Sequence, residues 1–266
     1  LDAWMAEHPW HPRVAPFLVY GLFLAVIDFA LPHAPVTYPL LYAIQCGLVA
    51  WLLWRYRKLM PELTLSFHWL ALPVGVGVFF AWVEIGKAMV AMDPARFATT
   101  ESHAIEQMDP MLRHVSMTLR LVGMSVVVPL LEEPFVRSMV LRSMHRLRPT
   151  MVAAVQFIAD LPLVGEWFMH TDLAKRADKY PRVMGEMFNR TPLGRLSVFG
   201  VLISTAIFTS YHLPRDWPAA IVCGIAYCLL LAATRRKGLG PVIWAHGITN
   251  ALLWANTLRT GDWQFL

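Results

Sequence analysis

Long apolar runs, separated by short polar or charged segments, make up most of the chain. A helix needs about 20 mainly apolar residues to cross a hydrocarbon core of about 30 Å. The runs therefore predict a series of membrane-spanning helices. We place these spans at residues 17–31, 38–54, 67–92, 111–131, 196–213, 217–234 and 239–258.

A further apolar run at 151–165 decides the number of crossings, because it is short and broken by Asp160 and Pro162. Lys- and Arg-rich loops favour the cytoplasmic side. The basic loop at 234–238 lies on that side only if 151–165 does not cross. We nevertheless expect a crossing here or in the polar insert at 166–195, because the candidate chemistry described below then falls at one depth. The insert itself is expected to form a loop or an interfacial amphipathic helix.

Composition supports the membrane interpretation, since 57% of the residues are hydrophobic and 15% are charged. Soluble domains average about 25% charged residues. We therefore predict an all-α polytopic membrane helix bundle of about eight transmembrane helices, forming one integral membrane domain over 1–266. A soluble helical protein with a very apolar core is the alternative. The net charge of +5 lies mainly beside apolar runs, which indicates lipid headgroups as partners and no nucleic acid.

Two adjacent glutamates end the fourth apolar run, and we expect its helix to continue past them. A buried charge costs several kcal/mol unless it is paired or neutralised. Glu133 and Arg137 have i,i+4 spacing and can pair on one helix face. Glu132 points about 100° away from its neighbour, so it is free to face a cavity as a general base. Taken alone, Glu133 and Arg137 fit a structural ion pair better than a site.

Two later spans carry further polar groups in apolar surroundings. The stretch FTSYH ends in His212, and the stretch HGITN contains His246 and Asn250 on one helix face. An imidazole and a carboxamide on one face can donate hydrogen bonds into a cavity, as an oxyanion hole does. Asn250 alone is also explained by a helix–helix contact.

These stretches together resemble a known family. EEPFVR reads as EExxxR, FTSYH as FxxxH and HGITN as HxxxN, in this order. The three motifs resemble those of the CAAX protease and bacteriocin-processing enzyme family, which includes the Ras-converting CAAX endopeptidases. The resemblance covers about residues 115–256, within a catalytic core at 111–258, and leaves the helices of 1–110 without a role.

The resemblance implies an intramembrane glutamate endopeptidase with no cofactor. Glu132 is then the catalytic glutamate that activates water with His212, and His246 and Asn250 stabilise the oxyanion. Supporting roles fall to Glu133, Arg137 and Phe208. The implied substrate is a membrane-associated peptide or protein, including its C-terminal tail. The insert resembles that of a CAAX-protease-related bacterial subgroup, which suggests a bacterial inner membrane.

The motif departs from the family pattern at Pro134 and Ser138. A proline inside a helix lacks the N–H for an i→i−4 bond, so we expect a kink at Pro134. Such a kink either opens a pocket for water or marks an inactive relative.

Three alternatives remain open at this point. A zinc peptidase would use Glu132, His212 and His246 as ligands. An immunity or binding protein would use the same pocket without cleavage. A proton-coupled transporter also uses membrane Glu and His, but we find no inverted repeat that would support it.

Overall fold

The computed structural model describes residues 1–30, 35–94, 108–159 and 167–263, and this part of the chain is helical without any strand. The helices are α1 (Asp2–Glu7), α2 (His11–Ala30), α3 (Tyr38–Tyr56), α4 (Ala71–Met92), α5 (Pro110–Ser143), α6 (Leu147–Ala159), α7 (Asp172–Ala177), α8 (Val183–Arg190), α9 (Val198–Ser210), α10 (Trp217–Thr234) and α11 (Gly240–Thr260). The predicted all-α class is confirmed.

Four helical segments within these ranges are long and apolar enough to cross a membrane. They are α2, α4, α5 and the segment Pro214–Lys237 that contains α10. Helices α3 and α11 are comparably long but less apolar; α11 carries His246 and Asn250, which lower its mean hydropathy. The chain is thus an integral membrane helix bundle, while the number of eight crossings stays a prediction.

The apolar run at 151–165 corresponds in part to α6. This helix has 13 residues and spans about 20 Å at 1.5 Å per residue, less than the hydrocarbon thickness of about 30 Å. Residues 160–165 lie outside the described part of the chain. A crossing in this region therefore also stays a prediction.

The insert packs against the end of α5 through its helix α8. Two guanidinium groups contact the Phe188 ring, that of Arg13 at 4.6 Å and that of Arg142 at 3.7 Å from its centroid. Arg142 also donates hydrogen bonds to the backbone oxygens of Phe188, at 2.9 Å, and of Thr191, at 2.8 Å. The insert is therefore fixed to the helix that carries the glutamate pair.

The N-terminal region is fixed to the same helix by a buried polar network. Arg13 on α2 donates to both carboxylate oxygens of Glu62, at 2.7 and 2.8 Å, and Ser138 on α5 donates to Glu62 Oε1. Burial alone would raise the pKa of Glu62, but the hydrogen bonds and charge of Arg13 hold this pKa below its ordinary value. An ionised Glu62 thus links α2 to α5.

Helices α4 and α11 approach each other closely at Gly75. A Cβ atom added there would lie 2.6 Å from the backbone oxygen of Ala245 and 3.1 Å from the Ile248 side chain. The Thr249 hydroxyl donates to the Gly75 oxygen at 2.9 Å. Only glycine permits this spacing, which sets the position of α11.

We predict that Gly75→Ala destabilises the protein, by about 1–3 kcal/mol for overpacking of a filled interface. Gly77→Ala on the same helix is the matched control, because a Cβ there meets nothing within 4 Å. Thermal unfolding in detergent should show a lower midpoint for Gly75→Ala and no loss for Gly77→Ala. Equal midpoints would contradict the close approach of α4 and α11.

Candidate active site

The glutamate pair lies in an α-helical segment of α5 between two π-helical stretches. These stretches are Gly123–Val127 and Pro134–Val140, and the segment Val128–Glu133 separates them. Pro134 keeps helical backbone angles, φ −60° and ψ −40°. The interruption expected at this proline therefore takes the form of a π-helical stretch. Such stretches are frequent at functional sites because they change the direction of neighbouring side chains.

Glu133 makes two contacts in a fully buried position. Its Oε2 lies 3.4 Å from Nε of Arg137, and both side chains are 0% exposed. Its Oε1 lies 2.8 Å from Nδ1 of His246 on α11. The Arg137 guanidinium also lies over the Phe208 ring, 4.5 Å from its centroid, an arrangement that favours a cation. Each carboxylate oxygen of Glu133 therefore has a partner, Arg137 at Oε2 and His246 at Oε1.

These contacts fix the orientation of His246. A carboxylate balanced by Arg137 can only accept hydrogen bonds, so Nδ1 of His246 carries a proton and donates it to Glu133. The opposite ring nitrogen, Nε2, then faces Glu132, 3.9 Å from Oε2. This is the arrangement in which a carboxylate sets the tautomer of a functional imidazole.

Glu132 differs from its neighbour because no arginine pairs with it among the described residues. The side chain is buried, and its Oε2 has no hydrogen-bond partner there. The Tyr211 side chain lies within hydrogen-bonding reach of the carboxylate. A buried carboxylate oxygen without a partner costs free energy unless water or a substrate supplies one.

His212 follows the end of α9 and has its own orienting contact. Its Nδ1 lies 2.7 Å from the backbone oxygen of Phe208. A carbonyl only accepts, so Nδ1 carries the proton and the Nε2 lone pair is left as an acceptor. The ring packs between aromatic side chains, 4.6 Å from Phe208 and 5.4 Å from Trp82 between ring centroids.

Asn250 lies one helical turn after His246 on α11. Its Nδ2 donates to the backbone oxygen of Met124 at 2.6 Å, and Met124 belongs to the first π-helical stretch of α5. The amide group has a second N–H, which this contact does not use. Asn250 therefore both joins α11 to α5 and retains a donor for another group.

Most of these residues line one cavity of about 270 Å³. The four predicted catalytic side chains, Glu132, His212, His246 and Asn250, all line it, as does Phe208. Glu133 and Arg137 are outside its lining and contact it through His246 and Phe208. The structure thus brings the three motifs together, while the role of each residue stays a prediction.

Several cavity residues were missed by the sequence analysis. They are Trp82, Tyr211, Arg215, Asp216, Tyr227 and Thr249. The sequence could have indicated Tyr211, because this residue directly precedes His212. Trp82 lies in the N-terminal region without an assigned role, and no sequence feature connects it to the motifs. The Tyr227 hydroxyl lies 2.8 Å from the Thr249 hydroxyl, and the Tyr227 and His246 ring centroids are 5.4 Å apart.

The zinc alternative has a partial basis in this geometry. Glu132, His212 and His246 share the cavity, and both imidazoles leave Nε2 unused by a protein donor. However, no three His, Cys, Asp or Glu residues within the described ranges are grouped closely enough to hold a metal ion.

Comparison with known proteins gives one finding. The family model described as "Type II CAAX prenyl endopeptidase Rce1-like" matches residues 114–252, just over half of the chain. All three motifs lie inside the matched range. No curated protein and no solved structure matched the chain.

We predict different stability effects for substitution of the two adjacent glutamates. Glu133→Gln leaves the buried Arg137 without a counter-charge, which should cost about 3–5 kcal/mol. Glu132→Gln removes a charge that no arginine balances, so the unfolding midpoint in detergent should stay the same or rise. Similar losses of stability for both variants would contradict the division of roles between the two carboxylates.

Proposed function

Because the chain belongs to the Rce1-like type II CAAX prenyl endopeptidase family, we propose that it cleaves a peptide bond in the membrane with water activated by Glu132 and His212. Membership of this family supports a protease and hydrolase, and the long apolar helices support an integral membrane protein. The observation that carries the finer proposal is the contrast within the pair. Glu133 is occupied by Arg137 and His246, whereas Glu132 faces the cavity.

In the first step, a water molecule in the cavity loses a proton to Glu132. The hydroxide attacks the scissile carbonyl carbon and a tetrahedral intermediate forms. His212 assists by accepting a hydrogen bond from this water at Nε2, because its contact with the Phe208 oxygen uses only Nδ1. Glu132 then returns the proton to the leaving amine as the C–N bond breaks. Such proton transfer contributes about 10²–10⁴-fold to the rate of a reaction.

The negative oxygen of the intermediate is stabilised by Asn250 and His246. Asn250 offers the N–H that does not bind Met124. His246 donates from Nε2 when both ring nitrogens carry a proton, and Glu133 accepts the hydrogen bond from Nδ1. Glu133 and Arg137 therefore act as positioning residues, and Glu133 also compensates charge.

The substrate class follows from the family match. A CAAX prenyl endopeptidase implies a membrane-associated prenylated protein in a lipid environment. We propose cleavage near the C-terminal tail of such a protein. Residence in a bacterial inner membrane is part of the same proposal and rests on the polar insert.

The test uses the purified protein in proteoliposomes with a fluorescently labelled S-farnesyl-Cys-Val-Ile-Ala peptide. Glu132→Gln and His212→Ala should each lower the cleavage rate by about 10²–10⁴-fold, while unfolding midpoints show that both variants fold. Arg190→Gln is the control, because Arg190 is exposed on α8 and pairs only with Glu186 among the contacts seen. Cleavage by Glu132→Gln at the parental rate would overturn the assignment.

Two further measurements separate the alternatives. Loss of cleavage after treatment with a strong chelator, restored by Zn²⁺, would support the zinc peptidase. In cells, full biological activity of Glu132→Gln would support a non-catalytic immunity or binding protein.

A further inference from the structure

A second cavity lies near the start of α5, remote from the candidate active site. Its volume is about 400 Å³, within the range of roughly 300–1,000 Å³ that is usual for ligand sites. Residues of α5, of α11 and of the segment after α11 line it. From Met117 in this cavity, α5 runs about 22 Å to Glu132, at about 1.5 Å per residue. The two cavities share no lining residue within the described ranges, so this one is a separate site.

One wall of the cavity is built by the turn that follows α11. Gly261 ends the helix in the left-handed conformation, with φ 68°, which glycine adopts without a steric penalty. Its N–H donates to the Thr257 backbone oxygen at 2.8 Å, and the Thr257 hydroxyl donates to the Asp262 backbone oxygen at 3.1 Å. Trp263 then packs against an apolar cluster that contains Met117 of α5. The turn thus fixes an indole ring beside α5.

The interior of the cavity is apolar and joins α5 to α11. Met117 is buried, and Trp254 and Leu258 of α11 lie beside it on the cavity wall. Trp254 Nε1 donates to the Met117 backbone oxygen at 2.9 Å, so its single N–H is already used. These three side chains therefore offer apolar surface to a ligand.

Donors and positive charge complete the lining. Arg113 is exposed and makes no hydrogen bond or ion pair within the described ranges, and the exposed His114 follows it. Nε1 of Trp263 is buried without a hydrogen-bond partner there. An indole N–H can only donate, and a buried donor costs free energy unless a ligand or water accepts from it. No acidic residue of the described ranges lines this cavity. The lining therefore suits an anion rich in acceptor oxygens.

The position of the cavity in a membrane protein favours a lipid as the source of that anion. The membrane-spanning segment Pro110–Ser143 begins here, and α11 ends here. Tryptophan is enriched at the depth of the lipid headgroups, and two tryptophans line the cavity. An arginine binds phosphate oxygens through its planar fork. A phosphate next to an apolar wall matches the boundary between headgroup and acyl chain.

We propose that this cavity binds an anionic phospholipid, with Arg113 and the Trp263 N–H on its phosphate and the apolar wall against its glycerol and first acyl carbons. Free inorganic phosphate offers the same oxygens but leaves that wall uncovered, and the experiment below distinguishes the two sources. A bound lipid contacts both α5 and α11, the helices that carry Glu132 and His246, and so stabilises their pairing. The inference does not rest on the proposed function.

The test measures lipid binding to the full chain, purified in an uncharged maltoside detergent. Native mass spectrometry gives the affinity for dioctanoyl phosphatidylglycerol, for dioctanoyl phosphatidylcholine and for inorganic phosphate. We expect phosphatidylglycerol to bind about 10-fold or more tightly than phosphatidylcholine, whose choline cation would lie beside Arg113. It should also raise the unfolding midpoint, because a ligand that binds only the folded state stabilises it. Inorganic phosphate at the same concentrations should do neither.

Substitutions within the cavity give the decisive comparison. Arg113→Gln should weaken binding of phosphatidylglycerol by about 10–100-fold, as loss of a charged hydrogen-bonded contact implies. Trp263→Phe keeps an aromatic ring but removes the N–H, and should weaken binding by about 2–10-fold. Arg259→Gln is the matched control, because Arg259 is exposed in the last turn of α11 but does not line the cavity. It should leave the affinity unchanged.

Three outcomes would overturn the inference. Equal weakening by Arg113→Gln and Arg259→Gln would show a general attraction of anionic lipid to this end of the bundle. Equal binding of both lipids, unaffected by Arg113→Gln, would assign the cavity to acyl chains alone. Inorganic phosphate that binds as tightly as phosphatidylglycerol would replace the lipid with a soluble phosphate. None of these measurements requires cleavage, so each result stands whether or not the protein proves to be a protease.

Discussion

The site depends on one buried carboxylate that meets two partners at once. Glu133 contacts Arg137 along its own helix and Nδ1 of His246 on α11. Without both partners, a carboxylate at 0% exposure would cost several kcal/mol. Because Glu133 compensates Arg137 and orients His246, the adjacent Glu132 is left without an arginine partner and faces the cavity. Two identical neighbouring residues thus acquire different environments.

The rest of the fold holds the helix that carries this pair. Arg13 and Glu62 fix its C-terminal half from one side through Ser138, and the insert fixes it through Arg142 and Phe188. These contacts hold α2, Glu62 and α8 against α5. They contact α5 at Ser138 and Arg142, within the turn that follows Arg137.

The sequence was most informative where the controlling interaction was local. The i,i+4 spacing predicted the contact between Glu133 and Arg137, and the angle between neighbouring helical residues predicted that Glu132 points elsewhere. Helix α5 continues through the pair to Ser143, as the pattern indicated. An interruption at Pro134 was predicted, but neither its π-helical form nor the stretch Gly123–Val127 was predictable from the local sequence. The same holds for Trp82, which reaches His212 only through the packing of α4.

The orientation of His246 gives the most direct test of this account. In protein labelled with ¹⁵N-histidine and held in detergent, NMR can report which ring nitrogen carries a proton, with His246→Gln used to assign the signal. We predict that Nδ1 of His246 remains protonated at every pH at which the protein is folded, because Glu133 accepts this proton. A neutral His246 protonated only at Nε2 would contradict the central role of Glu133.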